Sequence, residues 1–554
     1  MTTAPDVATV QVHNPLGYPP KVAAKSMAPR LDSLEGRRIF VVDPRFDDGT
    51  NLLVRLIAWF EEHLPDVEVE HVELPGNYLG DFTEVWEDLR ARGDAAIIGV
   101  GHCSTCAPAV SGFAMTLESR YGMPTVSLHT TTFSRVVRSV CNVGGMPGIR
   151  QVFVPHPVIG RTPEELQAYL DGDDPVTGRP VLQEIIAGLT EPLDGEERDG
   201  VGFERSTPRH VEPGTEDGLQ AHFHAKGWTD GLPIVLPTDE RVEAMLAGTS
   251  RDRDEVVGTM RPTHTREAWE FTVEKVAVNA VMAGARPEYF PVILALAASG
   301  VSARGSSTAS MNNMVVVNGP IREEIGMNSG LGAMGPYNHA NATIGRAYGL
   351  LSQNLQGGSE PGLSYMGSQG NNLAYNSICF AENEEASPWD GFHVDHGFAA
   401  TDSTVSVFRG GAYMSATLAV RPDSWQEHLR GMVLGMDPGM CAPTLLLDPL
   451  AAEQFIRLGG FSSKCDLTEW IRENARKPAS VYWDHQIVRN YILPNATAGK
   501  EPAASRLRSG SGDDLIELFE PDAIGVVVVG GSTKPYWCVA GPRYMTTVSV
   551  DDWR

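Results

Sequence analysis

Two thiols three residues apart, in Cys103-Ser104-Thr105-Cys106, are the side chains of this sequence best suited to chemistry. They stand between the apolar run Ala95 to Gly101 and a helix predicted to begin near Pro108. At such a strand-to-helix turn, free backbone N–H groups and the helix dipole favour thiolate over thiol. The alternative is a pair of buried, inert thiols, because apolar burial raises a thiol's pKa. A structural zinc site would need a second pair, yet Cys141, Cys379, Cys441, Cys465 and Cys538 are each solitary. A thioredoxin-like redox pair would follow the first strand of its domain, whereas this one follows the third. The favoured reading makes Cys103, nearer the strand end, the nucleophile. Cys106, one helical turn on, would resolve the adduct as a disulfide.

Three histidines are candidates for the accompanying acid or base: His102, His129 and His156. His129 ends a predicted strand and is followed by Thr130 and Thr131, which would meet substrate. His156 lies in Pro155-His156-Pro157, a sequence that also suits a rigid turn. His102 adjoins Cys103, and neighbours on an extended chain face opposite ways.

The elements that must position these groups alternate. Strands are predicted at 38–42, 67–74, 95–100, 124–128 and 151–154, with helices at 51–63, 81–92 and 107–121. This order predicts an α/β domain with a flavodoxin-like parallel sheet and helices on both faces. In such sheets ligands bind beyond the carboxyl ends of the strands. Cys103, His129 and the Pro-His-Pro turn all fall at those ends.

The stretch Gly99-Val-Gly-His-Cys-Ser-Thr-Cys-Ala-Pro108 resembles the U/C-G-S-C motif of the bacterial UGSC selenoprotein family. It is also similar to the U-x-x-C region of component B of glycine, sarcosine and betaine reductases. Gly122-Met-Pro-Thr-Val-Ser-Leu128 and Phe153-Val-Pro-His-Pro-Val-Ile-Gly160 resemble two further motifs in the same order. The resemblance covers roughly residues 38–190. It implies that Cys103 occupies the selenocysteine position and Cys106 the retained cysteine. In those reductases the selenolate attacks a carbon bearing an amine leaving group, and a partner protein reduces the selenoether. The intervening Ser-Thr departs from the family's Gly-Ser.

The chain divides into an extended arm (1–35), the thiol domain (36–190), a Gly/Pro-rich linker (191–218) and a larger α+β or α/β domain (219–554). In the last, helices are expected at 239–246, 272–283 and 289–300, with a strand at 525–530. The stretch 306–383 reads as too polar for continuous core helices. Several segments from Gly227 to Trp389 resemble uncharacterised proteins associated with UGSC-type genes. Asn279, Asn313, Asn318 and Asn383 among glycines suggest a polar substrate pocket. Arg346 and Arg286 are candidate carboxylate clamps, and Glu382, Glu384 and Glu385 candidate acids or bases. His393, Asp395 and His396 with Glu382 offer a metal alternative, although their spacing suits a surface turn better.

A formal net charge of −26 over 554 residues argues against nucleic acid and anionic membrane surfaces as partners. No apolar run approaches the roughly 18 residues that span a bilayer. The start lacks a signal-peptide pattern, and seven cysteines do not suggest a disulfide framework. A cytoplasmic homo-oligomer with thiols reduced at rest is expected. The leading expectation is an enzyme, a thiol-dependent reductase or lyase/transferase. It would make or break a carbon–sulfur or carbon–heteroatom bond in a small carboxylated metabolite. It needs no firmly implied cofactor beyond an external thiol or a thiol-reducing partner protein. The alternatives are a metal-dependent hydrolase or lyase centred on the second domain, and a non-catalytic thiol carrier.

Overall fold

The computed structural model describes residues 8–261, 267–305, 307–308, 310–358, 360–365, 367–375, 377–411 and 413–554. The first seven residues of the predicted arm therefore lie outside the described residues, as does Ser306.

The thiol domain has five strands, β1 (Arg38–Asp43), β2 (Glu68–Glu73), β3 (Ala95–Gly101), β4 (Thr125–Thr130) and β5 (Gln151–Val154), and all but the charged edge strand β2 are largely buried. Every pairing is parallel and the order is β2-β1-β3-β4-β5. Period-two alternation sends successive side chains to opposite faces. Phe40 and Val42 pack under α2 (Thr83–Arg92), α3 (Cys106–Tyr121) and α4 (Ser134–Val143). Ile39 and Val41 pack against α1 (Gly49–His63), α5 (Pro163–Asp171) and α6 (Val181–Thr190). Both faces of β3 are covered, which is why Ala95–Gly101 reads as an unbroken apolar run.

The chain leaves β1 toward one edge and returns from β3 toward the other. The order therefore reverses between β1 and β3, the place where open α/β sheets bind ligands.

The arm and linker are more ordered than their composition suggests. Strand Val10–His13 pairs antiparallel with His210–Gly214, and Val12 is buried in the second domain's core. Arg30 holds the buried Glu118 of α3 at 2.9 Å. The linker forms a short helix, Gly195–Asp199, closed by a capping box between Asp194 and Glu197.

The second domain has four layers. Helices α7 (Val273–Met282), α8 (Phe290–Ala298) and α9 (His339–Leu355) cover one mixed sheet. Its strands are β6 (Asn312–Asn318), β7 (Ile378–Ala381), β8 (Thr404–Gly410) and β13 (Arg543–Ser549), in the order β7-β6-β8-β13. A second sheet is built from β9 (Met414–Leu418), β10 (Thr444–Leu447), β11 (Gly525–Val528) and β12 (Tyr536–Ala540), in the order β9-β12-β10-β11. Met314, Val316 and Phe408 of the first sheet meet Leu446, Val527 and Cys538 of the second. Helices Pro449–Gly459 and Lys464–Asn474 close the far side.

Helix α9 corrects the expectation that 306–383 holds no continuous core helix. Ile344, Ala347, Tyr348, Leu351 and Leu355 supply an apolar face. The buried amides that made the stretch look polar bond to backbone: Asn341 to Asn328 and Ala333 carbonyls, Gln353 to Thr229. Among the described residues no helix is long and apolar enough to cross a membrane.

Candidate active site

β3 ends at Gly101 and α3 starts at Cys106, so residues 102–105 form the turn at the reversal point. The first amides of a helix lack acceptors within it. Here the Cys106 N–H donates to Cys103 Sγ at 3.0 Å, and Thr105 Oγ1 lies 3.3 Å from the same sulfur. Pro108 fits the first turn because an N–H there would have had no partner within the helix. The Cα atoms of Cys103 and Cys106 are 5.0 Å apart and their sulfurs are joined as a disulfide. The expectation was thiols reduced at rest. One helical turn instead sets residues i and i+3 at the Cα separation of bridged cysteines. Cys106 is buried and Cys103 half-buried.

Gly101 is needed where it stands. A Cβ there would run into His129 Nδ1 and come within 2.9 Å of Ala107 Cα. His129 is fully buried at the end of β4, and neither ring nitrogen makes a well-formed hydrogen bond among the described residues. Burial pushes its pKa down to about 3, with the Gly101 backbone opposing only weakly. It is a neutral ring wedged beneath the thiol turn.

His102, also buried, sets Nε2 3.0 Å from the Phe46 carbonyl. His156 is exposed, with Nδ1 3.1 Å from Thr130 Oγ1. Burial lowers the His156 pKa, and the nearby His102 and Arg161 lower it further. Thr130 is buried and Thr131 opens the turn after β4.

The second domain roofs this turn. Asp47, in the loop after β1, takes an amide from Gln486 at 2.6 Å and another from Asn490, and its own N–H donates to Asn490 Oδ1 at 3.1 Å. Asn490 and Tyr491 lie on a π-helical turn, Val488–Ile492, a distortion common at functional sites. Tyr491 OH stands 3.1 Å from Thr105 Oγ1. Tyr78 stacks edge-on with Tyr491, ring centres 5.7 Å apart, and its hydroxyl also engages Thr105. Burial raises both phenols, so they remain protonated donors. The Thr308 N–H donates to Ser104 Oγ at 3.0 Å.

Arg409 completes this layer. It sits opposite Asn313 in the β6–β8 register, with its guanidinium against the Gly305 backbone. Burial lowers its pKa, and the groups favouring its charge are the phenols of Tyr348 and Tyr78. Among the described residues no carboxylate pairs with it.

The second domain's predicted site residues mostly go elsewhere. Asn279 donates to the Pro15 and Lys275 carbonyls and accepts from Asn354. Arg346 is held by Asp230 at 2.9 Å, and Arg286 is exposed. Glu382 is fully buried on Lys464, at 2.8 Å, and on Asn318. Glu384 and Glu385 pair with Arg322, and Asn383 donates to the Gly530 carbonyl. Of these, Asn313 comes nearest the thiol layer, through its 3.4 Å contact with Tyr348 OH.

Among the described residues His393 is buried with both nitrogens unpartnered, His396 Nδ1 is 2.8 Å from the Phe392 carbonyl, and Asp395 is 3.9 Å from Lys464. Among the described residues, ligand atoms converge at His13–His210–Asp239 and Asp43–His71–Glu73 instead, within 4.8 Å.

Sequence reading missed Tyr78, Thr308, Tyr491 and Arg409. The one available signal was a lone arginine ending the apolar strand Thr404–Phe408.

Comparison with known proteins places the thiol turn in a family. No curated protein and no solved structure matches the chain. Residues 11–172 match the UGSC family. All five parallel strands, the Cys103–Cys106 turn and the Pro-His-Pro turn lie within that span, and this N-terminal portion of the chain belongs to the UGSC family.

Proposed function

We propose that the chain is a thiol enzyme in which Cys103 forms a covalent adduct with a small carboxylated metabolite. The observation that carries this reading is the Cys106 N–H donating to Cys103 Sγ at the sheet's reversal point. In the reduced protein that donor and the α3 dipole stabilise the Cys103 thiolate. Arg409, a cation without a carboxylate partner in the overlying layer, suits the substrate's carboxylate. The Thr105–Tyr491–Tyr78 group supplies neutral donors for a leaving group.

In the first step a bond forms between Cys103 Sγ and carbon, and the bond from carbon to its heteroatom breaks with the electron pair leaving on the heteroatom. Cys106 thiolate then attacks Cys103 Sγ. The disulfide forms, and the organic group departs with the thioether's electron pair and takes a proton. A carbonyl beside that carbon is required to hold the pair. The dithiol thus supplies two electrons, and an external thiol or thiol-reducing partner restores it. This parallels the component B chemistry that the motif resembles, with sulfur in place of selenium.

The test is intact mass of the reduced protein after incubation with chloroacetate. Cys106→Ala should accumulate a carboxymethyl adduct located on Cys103, and Cys103→Ala none. An unmodified Cys103 in both wild type and Cys106→Ala would refute the reading. The disulfide itself favours a second reading, a dithiol–disulfide redox subunit. That subunit would exchange electrons with a partner and form no carbon adduct.

A further inference from the structure

A cavity of about 590 Å³ opens in the second domain between the turn after α8 and residues 360–365 and 370–375. Its lining includes Arg304, Asp230, Glu360, Tyr365 and Tyr375. The volume is that of a small-molecule site rather than a bare ion site. Arg304 is only 7% exposed, and its Nη1 has no hydrogen-bond partner among the described residues. A buried guanidinium left in that state is costly.

The neighbouring acids are already engaged. Asp230 is held by Arg346 at 2.9 and 3.0 Å, and Glu360 by Arg135 of the thiol domain at 2.7 Å. Arg304, Arg346 and Arg135 set against Asp230 and Glu360 leave one positive charge. That balance matches a single negative charge, while the two nearby carboxylates oppose a dianion. Tyr365 and Tyr375 lie within electrostatic reach of Arg304 and, with Pro361 and Ala374, give apolar surface for a flat organic body.

We propose that this cavity binds a small organic monocarboxylate, with Arg304 as the anchor of the carboxylate and the two tyrosines as walls for its body. A guanidinium presents two parallel N–H donors to a carboxylate, which adds geometry to charge. The site stands independently of the cysteine chemistry, because its lining lies within residues 227–375. It borders the thiol turn through Thr308, whose N–H donates to Ser104 Oγ.

The test is equilibrium dialysis of the full chain with benzoate, its neutral isostere benzamide, and inorganic phosphate. Benzoate should occupy one site per chain, with benzamide and phosphate at least about tenfold weaker. Arg304→Gln should weaken benzoate by about tenfold or more with an unchanged circular dichroism spectrum. Tyr375, 49% exposed, can be changed to Ala without disturbing a core, and Tyr375→Ala should weaken benzoate severalfold. Undetectable benzoate binding at millimolar concentration, equal binding of benzamide, or tighter binding of phosphate would overturn the proposal. So would Arg304→Gln that binds benzoate like the wild type. If Arg304→Gln fails to fold, unchanged affinity in Tyr375→Ala overturns it alone.

Discussion

His129 makes the fold sensitive to acid, and the size of the effect follows from its burial. In the unfolded chain an imidazole titrates near 6.5, whereas in the fold burial holds His129 down at about 3. Below about pH 6.5 the unfolded chain takes up a proton that the folded chain refuses, so stability falls as pH falls. The loss is about 1.4 kcal/mol per pH unit, close to 2 kcal/mol at about pH 5, and it ends near the folded pKa. Other groups titrate in the same window, so the informative quantity is a difference. His129→Leu removes the titration and keeps an apolar ring-sized body against Gly101. Urea unfolding of both proteins between about pH 7 and pH 5 should show the wild type losing about 2 kcal/mol more than the variant. Parallel pH profiles, within about 0.5 kcal/mol, would show that His129 meets water or a proton partner in the fold, and the reasoning would fail.

Two further substitutions test how the site is held. Gly101→Ala drives a Cβ toward His129 and the Ala107 backbone, so we expect a loss of about 1–3 kcal/mol in urea unfolding. Faster alkylation of Cys103 should accompany it as the turn shifts; a neutral result on both measures would mean that β3 and β4 can part freely. Lys464→Met leaves the fully buried Glu382 without its cation and should cost about 3–5 kcal/mol. The double variant Lys464→Met/Glu382→Leu should recover most of that loss, and no recovery would assign the effect to packing around Lys464 instead.

What could be read from the sequence, and what could not, divides by the range of the interactions. Four strands of the thiol domain were legible because each obeys a local rule: a short apolar run bounded by turn residues and followed by a helix; the edge strand β2, Glu68–Glu73, instead has Val69 and Val72 among charged and polar residues and none of them buried. The Cys103 turn was legible for the same reason, since a helix start five residues after a strand end is a local event. His129 shows where this stops. Its strand-end position was read correctly, but its solvent access depends on α3 packing over Gly101, and that packing leaves it a neutral wedge. The amides of the second domain fail in the opposite sense. Asn279 and Asn383 looked like a grip on substrate, yet they satisfy the backbone carbonyls of Pro15 and Gly530, far away along the chain. An amide that ties backbone and one that binds ligand are the same residue to a sequence, and only the partner differs. The arginines carry this argument furthest. Arg346 was chosen for its charge, but Asp230 consumes it. Arg409 and Arg304 went unread, though both are buried cations left without a carboxylate pair among the described residues. A charge becomes available for function by what the fold withholds from it, which is a property of the folded chain alone.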